Sequence, residues 1–254
     1  MNVVILIPTY NEEGNIVKLL EHISTVTKKI KKHKFIILVM DDNSPDGTGK
    51  LVQSFAKKRK NVHLLSGKKR GLGVAMRRGY QHAINRLKAD VVVSNEADFA
   101  FSFRHLPKMI TKIEDGYDVV VASRHVGIGR TKGWTINRRV NHWIANTFFA
   151  RHVAGVTEVY DKNGAFRAVR VKGVLDSINL ASLDAAGFGF FFYSLYKLTR
   201  VTDNFYEIPA TYTFRRIGES KVSFNPKYVR TYLRDVAEYV KLAITVRNEK
   251  RKNK

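Results

Sequence analysis

Val3-Val4-Ile5-Leu6-Ile7-Pro8-Thr9-Tyr10-Asn11-Glu12-Glu13 and Phe35-Ile36-Ile37-Leu38-Val39-Met40-Asp41-Asp42 are the stretches that decide the fold. Both open as continuous apolar runs, the pattern of a strand buried on both faces, and both break into polar and acidic residues. Between them, residues 13–29 carry Ile16, Leu19, Leu20 and Ile23 at the period of a helix. The alternation continues with strands at 62–65, 91–94 and 118–122. Helices follow Ser44-Pro45, read as an N-cap and first-turn proline, and occupy 73–87 and 106–114. This order predicts an α/β fold, a mostly parallel central sheet with helices on both faces. Ligands of such sheets sit at the carboxyl ends of the strands, so the residues just after each strand form the candidate site.

Beyond residue 126 the pattern loosens. Gly127, Gly129 and Gly133 lie in a basic stretch that reads as a mobile loop, 137–153 as one helix, and 166–169 and 207–213 as strands. Residues 187–198 are rich in aromatics and read as core more than as lipid contact. Residues 227–246 align Val229, Leu233, Val236, Val240 and Ile244 on one stripe, an amphipathic helix with a charged tail behind it. No repeat or linker divides the chain, which predicts a single domain over 1–225 followed by the helix and basic tail of 226–254.

Hydrophobic residues make up 44% of the 254, enough for a sizeable core. Lys and Arg number 45 against 22 Asp and Glu, a net charge of +23 that calls for an anionic partner: nucleic acid, a phosphorylated ligand or an acidic membrane. The basic residues are spread along the chain with no stacking platform or helix-turn-helix pattern, so specific nucleic-acid binding is not expected. The absence of cysteine excludes a disulfide scaffold, a thiolate metal site and a cysteine nucleophile. No apolar run approaches the ~20 residues of a membrane-spanning helix, and no basic leader opens the sequence. The expectation is a cytoplasmic protein that does not cross the bilayer.

The strand ends carry the chemistry. After the first, Tyr10 and Glu12 read either as a helix-opening polar turn or as groups that hold a base and ribose. After the second, Asp41 and Asp42 stand where a carboxylate accepts from ribose hydroxyls, although part of this run is turn chemistry. No glycine fingerprint follows the first strand, so the nucleotide is not NAD or FAD. After the fourth, Glu96-Ala97-Asp98 offers two hard oxygen ligands, suited to Mg²⁺ or Mn²⁺ on a diphosphate. Arg124 follows the fifth strand, Arg138 and Arg139 open the next helix, and Arg215, Arg216 and Lys221 flank Gly218-Glu219-Ser220. A convergent set of such groups makes a phosphate clamp.

Taken in order, Ile7-Pro8-Thr9-Tyr10-Asn11-Glu12, Asp41-Asp42-Asn43-Ser44-Pro45-Asp46-Gly47-Thr48, Gly71-Leu72-Gly73 with Gly79, Glu96-Ala97-Asp98, Ser123-Arg124 and Gly218-Glu219-Ser220-Lys221 resemble the dolichyl-phosphate mannosyltransferases of the inverting family-two glycosyltransferases, over about residues 1–225. The resemblance implies a GT-A fold and transfer of a sugar, GDP-mannose being the expected donor, to a polyprenyl phosphate. It implies that Pro8, Tyr10, Glu12 and Asp42 bind the nucleotide, with Ala97 touching it through its backbone. Glu96 and Asp98 would hold Mg²⁺ or Mn²⁺, Arg124 and Arg138 would face the lipid phosphate, and Arg215 and Lys221 would hold the donor diphosphate. Asp98, Arg124 and Arg138 are thereby the expected catalytic set. The chain departs from the family pattern at Glu96, where Asp is usual, at Ala100, where Gln is common, and in the aromatics at 190–193. Alternatives at this point are another donor such as UDP-glucose, another acceptor, or an inactive regulatory paralogue. Membrane contact is expected through the helix at 227–246, unless that helix packs on the core, or through a small integral partner.

Overall fold

The computed structural model describes residues 1–183, 187, 189–214 and 226–252, with the helix backbone alone over 226–232. Five strands anticipated by apolar runs are present: β1 (Asn2–Thr9), β2 (Lys34–Asp41), β3 (Val62–Ser66), β4 (Val91–Ser94) and β5 (Val119–Ser123). The helices between them are α1 (Glu13–Lys28), α2 (Thr48–Lys58), α3 (Leu72–Asn85) and α4 (Leu106–Glu114). A short strand β6 (Arg130–Lys132) precedes α5 (Ile136–Trp143), which continues without a break as a wider, π-helical stretch over Ile144–Val153. Then come β7 (Arg167–Arg170), α6 (Gly189–Leu198), β8 (Phe205–Pro209), β9 (Thr211–Thr213) and α7 (Pro226–Lys252).

The main sheet runs β3-β2-β1-β4-β7-β5-β8, and β6 pairs with β9 beside it. All ladders of the main sheet are parallel except those of β7, which lies antiparallel between β4 and β5. Because successive strand residues point to opposite faces, Val3, Ile5 and Ile7 of β1 pack with Ile16, Leu19 and Ile23 of α1 and with α4. Val4 and Leu6 pack instead with Met76 and Tyr80 of α3, with α6, and with Tyr239, Ala243 and Val246 of α7. Phe190, Phe191, Phe192 and Tyr196 are buried in this second core, as the sequence suggests. Gly79 lets α3 lie close to β2: a Cβ there would stand 2.5 Å from the Met40 sulfur.

Three local expectations are corrected. The helix after β2 begins at Thr48, not at Ser44-Pro45: Gly47, at φ +93°, makes the turn before it, and Ser44 bonds to Asp41 instead. The segment read as strand at 207–213 holds the end of β8 and the separate β9, since Pro209 ends the ladder with β5. Ala210 then donates to the Ser123 carbonyl and accepts from the Arg130 amide, so the chain passes from one sheet to the other. The stripe expected on α7 is not its core-facing side: Leu233, Val236 and Ile244 are exposed, Val240 is half-buried and the Val229 side chain lies outside the described residues, while Tyr239, Ala243 and Val246 are buried. The helix packs on the core of the sheet through Tyr239, Ala243 and Val246.

Candidate active site

The loops after β1 and β2 are stitched to each other. The Asn11 amide donates to Ser44 Oγ (3.0 Å), the Glu12 amide to Thr48 Oγ1 (3.0 Å), and the Glu13 amide to Asp46 Oδ2 (3.0 Å). Neighbouring Asp41 and Asp42 have separate uses. Asp41 is consumed by the loop: Oδ1 accepts from Thr9 and Ser44 hydroxyls and Oδ2 from the Ser44 amide. Asp42 instead meets Arg78 of α3, whose Nη2 donates to its Oδ1 at 3.1 Å. Burial pushes the Asp42 carboxyl up, and Arg78 and the Arg70 amide pull against that shift. Pro8 lies in β1, and Lys69 Nζ sits 3.5 Å above the Tyr10 ring. Glu12 is buried, its Oε2 accepting from Asn15 Nδ2 at 2.8 Å.

At the end of β4 the backbone is bent to hold the acidic motif. Asn95 Oδ1 accepts from the Glu96 amide and its Nδ2 donates to the Phe101 carbonyl. Phe99 has φ +59°, a conformation that costs a bulky residue about 1–2 kcal/mol. It is kept there by Ala100, whose amide donates to Asp98 Oδ1 (3.0 Å) and whose carbonyl accepts from Thr213 (2.8 Å). Position 100 thus contributes its backbone, and Ala97 and Ala100 are both buried. Tyr212 of β9 lies against this motif: burial first, then the charges of Glu96 and Asp98, raise its phenol.

At the end of β5 the electrostatics are dominated by an ion pair that crosses to the turn before β7. Arg124 donates to Asp161 from Nε (2.7 Å), Nη2 (2.6 Å) and its backbone amide (3.0 Å), and Asp161 is fully buried. Burial opposes the charge on Asp161, but Arg124 more than compensates and holds the carboxyl far below the usual range. The guanidinium is boxed by the rings of Phe101, Tyr212 and Trp134 at 5.4–5.7 Å. Arg138 of α5 lies over Phe214 at 4.5 Å. One turn on, His142 Nε2 is 2.9 Å from His125 Nε2, with ring planes 7° apart and centroids 5.1 Å apart. Parallel rings whose nitrogens come this close meet edge to edge, so one imidazole donates to the other and α5 is tied to the end of β5. Desolvation lowers both rings, and lowers His142, the more buried of the two, to about 3.

His125, His142 and Asp161 place ligand atoms within 4.8 Å of one another. The two nitrogens are nearer than ligands of one tetrahedral ion, about 3.3 Å apart, and both Asp161 oxygens serve Arg124. The group is therefore a proton-bridged and ion-paired cluster here. Glu96 and Asp98 suit a hard divalent cation better: two carboxylates at one strand end, one of them aimed by the Ala100 amide.

The structure thus brings Pro8, Tyr10, Glu12 and Asp42 to one end of the site, Glu96, Ala97 and Asp98 to its middle, and Arg124 and Arg138 to the other. Arg215 and Lys221 lie outside the described residues. Sequence reasoning missed Arg78, Trp134, Asp161 and Tyr212. The signal for Asp161 was the Asp-x-Asn-Gly turn just before β7; the other three carry no local signal.

The family model for glycosyl transferase family 2 matches residues 4–176, more than half of the chain and the part that includes every described strand end named above. The chain belongs to glycosyl transferase family 2. This glycosyltransferase is 31% identical over 221 residues to the polyprenol monophosphomannose synthase of Mycolicibacterium smegmatis, with 86% of this chain and 80% of that protein covered. It is 31% identical over 224 residues to the undecaprenyl-phosphate mannosyltransferase of Micrococcus luteus, covering 88% of each. Among solved structures, the mannosyl-3-phosphoglycerate synthase of Rubrobacter xylanophilus superposes with a TM-score of 0.66 at 16% identity, over 99% of this chain and 76% of that one. A mannosyltransferase of Pyrobaculum calidifontis in complex with GDP-Man and Mn²⁺ superposes at 0.55, again at 16% identity, over 96% and 73%. The fold of the glycosyltransferase is GT-A, as expected from its sequence.

Proposed function

We propose that this glycosyltransferase moves mannose from GDP-mannose to a polyprenyl phosphate, with inversion at the anomeric carbon. The observation that carries the reading is the division of charge along the carboxyl edge of the sheet: carboxylates from β2 and β4 on one side, arginines from β5 and α5 on the other. Two relatives at 31% identity, named for polyprenol phosphate mannose synthesis and undecaprenyl-phosphate mannosyl transfer, support the acceptor class. Tyr10, Glu12 and Asp42 hold the nucleoside, with Pro8 and the Ala97 backbone against it. Arg138, and Arg124 from beneath with Asp161 fixing it, draw the acceptor phosphate toward the sugar.

An acceptor phosphate oxygen attacks the anomeric carbon, a new C–O bond forms, and the bond to the diphosphate oxygen breaks with its electron pair leaving on the nucleoside diphosphate. The phosphate is already ionised near neutral pH, so no side chain has to remove a proton. The work left to the protein is positioning and charge stabilisation. Glu96 and Asp98 would hold Mg²⁺ or Mn²⁺, which when bound supplies positive charge against the leaving diphosphate. Arg215 and Lys221 are assigned to the same diphosphate.

The acceptor lives in a bilayer, and among the described residues no helix is long and apolar enough to cross one. The reading therefore includes contact with the membrane surface. Trp143 (58% exposed), Ile136 (79%), Val140 and Phe148 on α5 and its continuation, and Leu233 (59%), Val236 and Ile244 on α7, present apolar side chains on two helices that pack against each other.

The test is transfer of label from a panel of nucleotide sugars to a polyprenyl phosphate in detergent with Mg²⁺ or Mn²⁺. Label from GDP-mannose is expected in the organic phase and is lost, by at least about a hundredfold, in Asp98→Ala. No lipid-linked label from any donor, with folded protein, would overturn the reading.

A further inference from the structure

Arg78 has no place in the site described from sequence, yet the fold is arranged to deliver it. It projects from α3 across the end of β3, where its Nη2 reaches Asp42 Oδ1 at 3.1 Å and the Leu65 carbonyl at 3.4 Å. It passes over Gly67, where any Cβ would overlap the guanidinium. Gly67 is not needed for its backbone angles, since it is not among the glycines with positive φ; it is the space that matters. The Nε of Arg78 is buried without a hydrogen-bond partner, a cost that a purely structural ion pair would not need to carry.

We propose that Arg78 is a specificity-determining residue for the nucleotide base: with Asp42 it selects a base whose edge carries a carbonyl beside a ring N–H. This rests on the reading that Asp42 faces the nucleoside. The sheet order β4-β1-β2-β3 fixes the direction in which the ligand is read. The diphosphate lies at the Glu96–Asp98 motif after β4, the ribose crosses the end of β1, and the base reaches β2 and then β3. Its edge therefore meets an acceptor first, Asp42, and a donor second, Arg78. Guanine and uracil present a ring N–H and then a carbonyl oxygen, matching both. Adenine and cytosine present a ring-nitrogen lone pair and then an amine, which sets lone pair against carboxylate and N–H against guanidinium. Mismatches of this kind cost more than a missing contact, because buried polar groups are left unpaired.

Calorimetric titration of the folded protein with GDP, UDP, ADP and CDP, in Mg²⁺, tests this. The wild type is expected to bind GDP or UDP at least about tenfold more tightly than ADP and CDP, and the first two titrations show which keto base is preferred. Arg78→Met should erase most of that lead, by weakening GDP and UDP and by relieving the clash of the ADP and CDP amines with the guanidinium. Gly67→Ala should do the same with every charge retained, because the methyl group displaces the guanidinium. Thermal melts confirm that both variants fold. A lead that survives in both variants would overturn the role of Arg78 and leave the enzyme assignment standing. Equal loss for all four nucleotides would overturn it too, by showing that Arg78 only shapes the loop. Failure of the wild type to bind any of the four would overturn the placement of the nucleotide, and this inference with it.

Discussion

The pair of Arg124 and Asp161 shows what a buried charge costs and gives. Each alone would be strongly penalised by desolvation; together they share two side-chain hydrogen bonds at 2.6 and 2.7 Å in a cage of aromatic rings. Asp161→Asn leaves a buried guanidinium without its counter-charge, and is expected to lower unfolding free energy in urea by about 3–5 kcal/mol at pH 7. Because the folded-state pKa of Asp161 is depressed, its contribution is complete above the unfolded carboxylate range, about 3.9, and is lost only as pH falls below that. The gap between wild type and variant should therefore hold from pH 7 to about 5 and close in stronger acid. A constant gap down to pH 2 would contradict the assignment. At this scale the sequence was legible where chemistry is local. Glu96-Ala97-Asp98 follows a buried run and announces itself, whereas Arg78 and Tyr212 act on residues remote in sequence, and nothing in their surroundings separates them from other arginines and tyrosines. The residues by themselves do not separate Asp41 from Asp42, and only the family resemblance picks Asp42; in the structure the Ser44 turn claims Asp41.

Among elements, α5 joins the catalytic core to the exposed apolar surface. It carries Arg138, it is pinned by the His125–His142 bond, and it lies between the chain's two tryptophans, with Trp134 against His142 and Trp143 at its end. Both imidazoles feel the charges of Arg124, Asp161 and Lys162, and His125 that of Glu207 as well; desolvation lowers both, His142 to about 3. The unfolded value is near 6.5, so the docking energy of α5 is complete above that pH and falls progressively toward pH 3. Tryptophan emission should shift between pH 6.5 and 4, before far-UV circular dichroism reports global loss, and His142→Gln should flatten the response. Simultaneous transitions in both signals would show that α5 is not separately held. The strands of the first half were readable because double-sided burial demands unbroken apolar runs. The corrections at 207–213 and on α7 share a cause: one stretch of chain serves two neighbours, and periodicity alone cannot say which neighbour takes which residue.

Across the whole molecule, a net charge of +23 would draw the chain to an anionic bilayer, where the exposed apolar side chains of two packed helices could insert. Cosedimentation with acidic phospholipid vesicles should exceed that with neutral ones and decline as salt rises from 50 to 500 mM. Trp143→Ala should weaken it roughly tenfold. Equal binding to neutral and acidic vesicles, or no effect of Trp143→Ala, would remove the helices from the contact. The antiparallel β7 has a different consequence, for the order in which the chain acquires its structure during synthesis. β1 to β4 are joined by parallel ladders that need no later strand and can assemble as soon as they leave the ribosome, with only the β7 side of β4 still open. β5 has no bond to any of them. Its neighbours are β7 and β8, both made later, so a nascent chain halted after β5 carries an apolar strand with open edges. The strand ends that carry Tyr10, Glu12, Asp42 and the Glu96–Asp98 motif have been made by that moment, while Arg124 still lacks Asp161 and β7 has yet to dock between β4 and β5. Stalled or truncated products ending between residues 123 and 167 are thus the ones expected to need a chaperone.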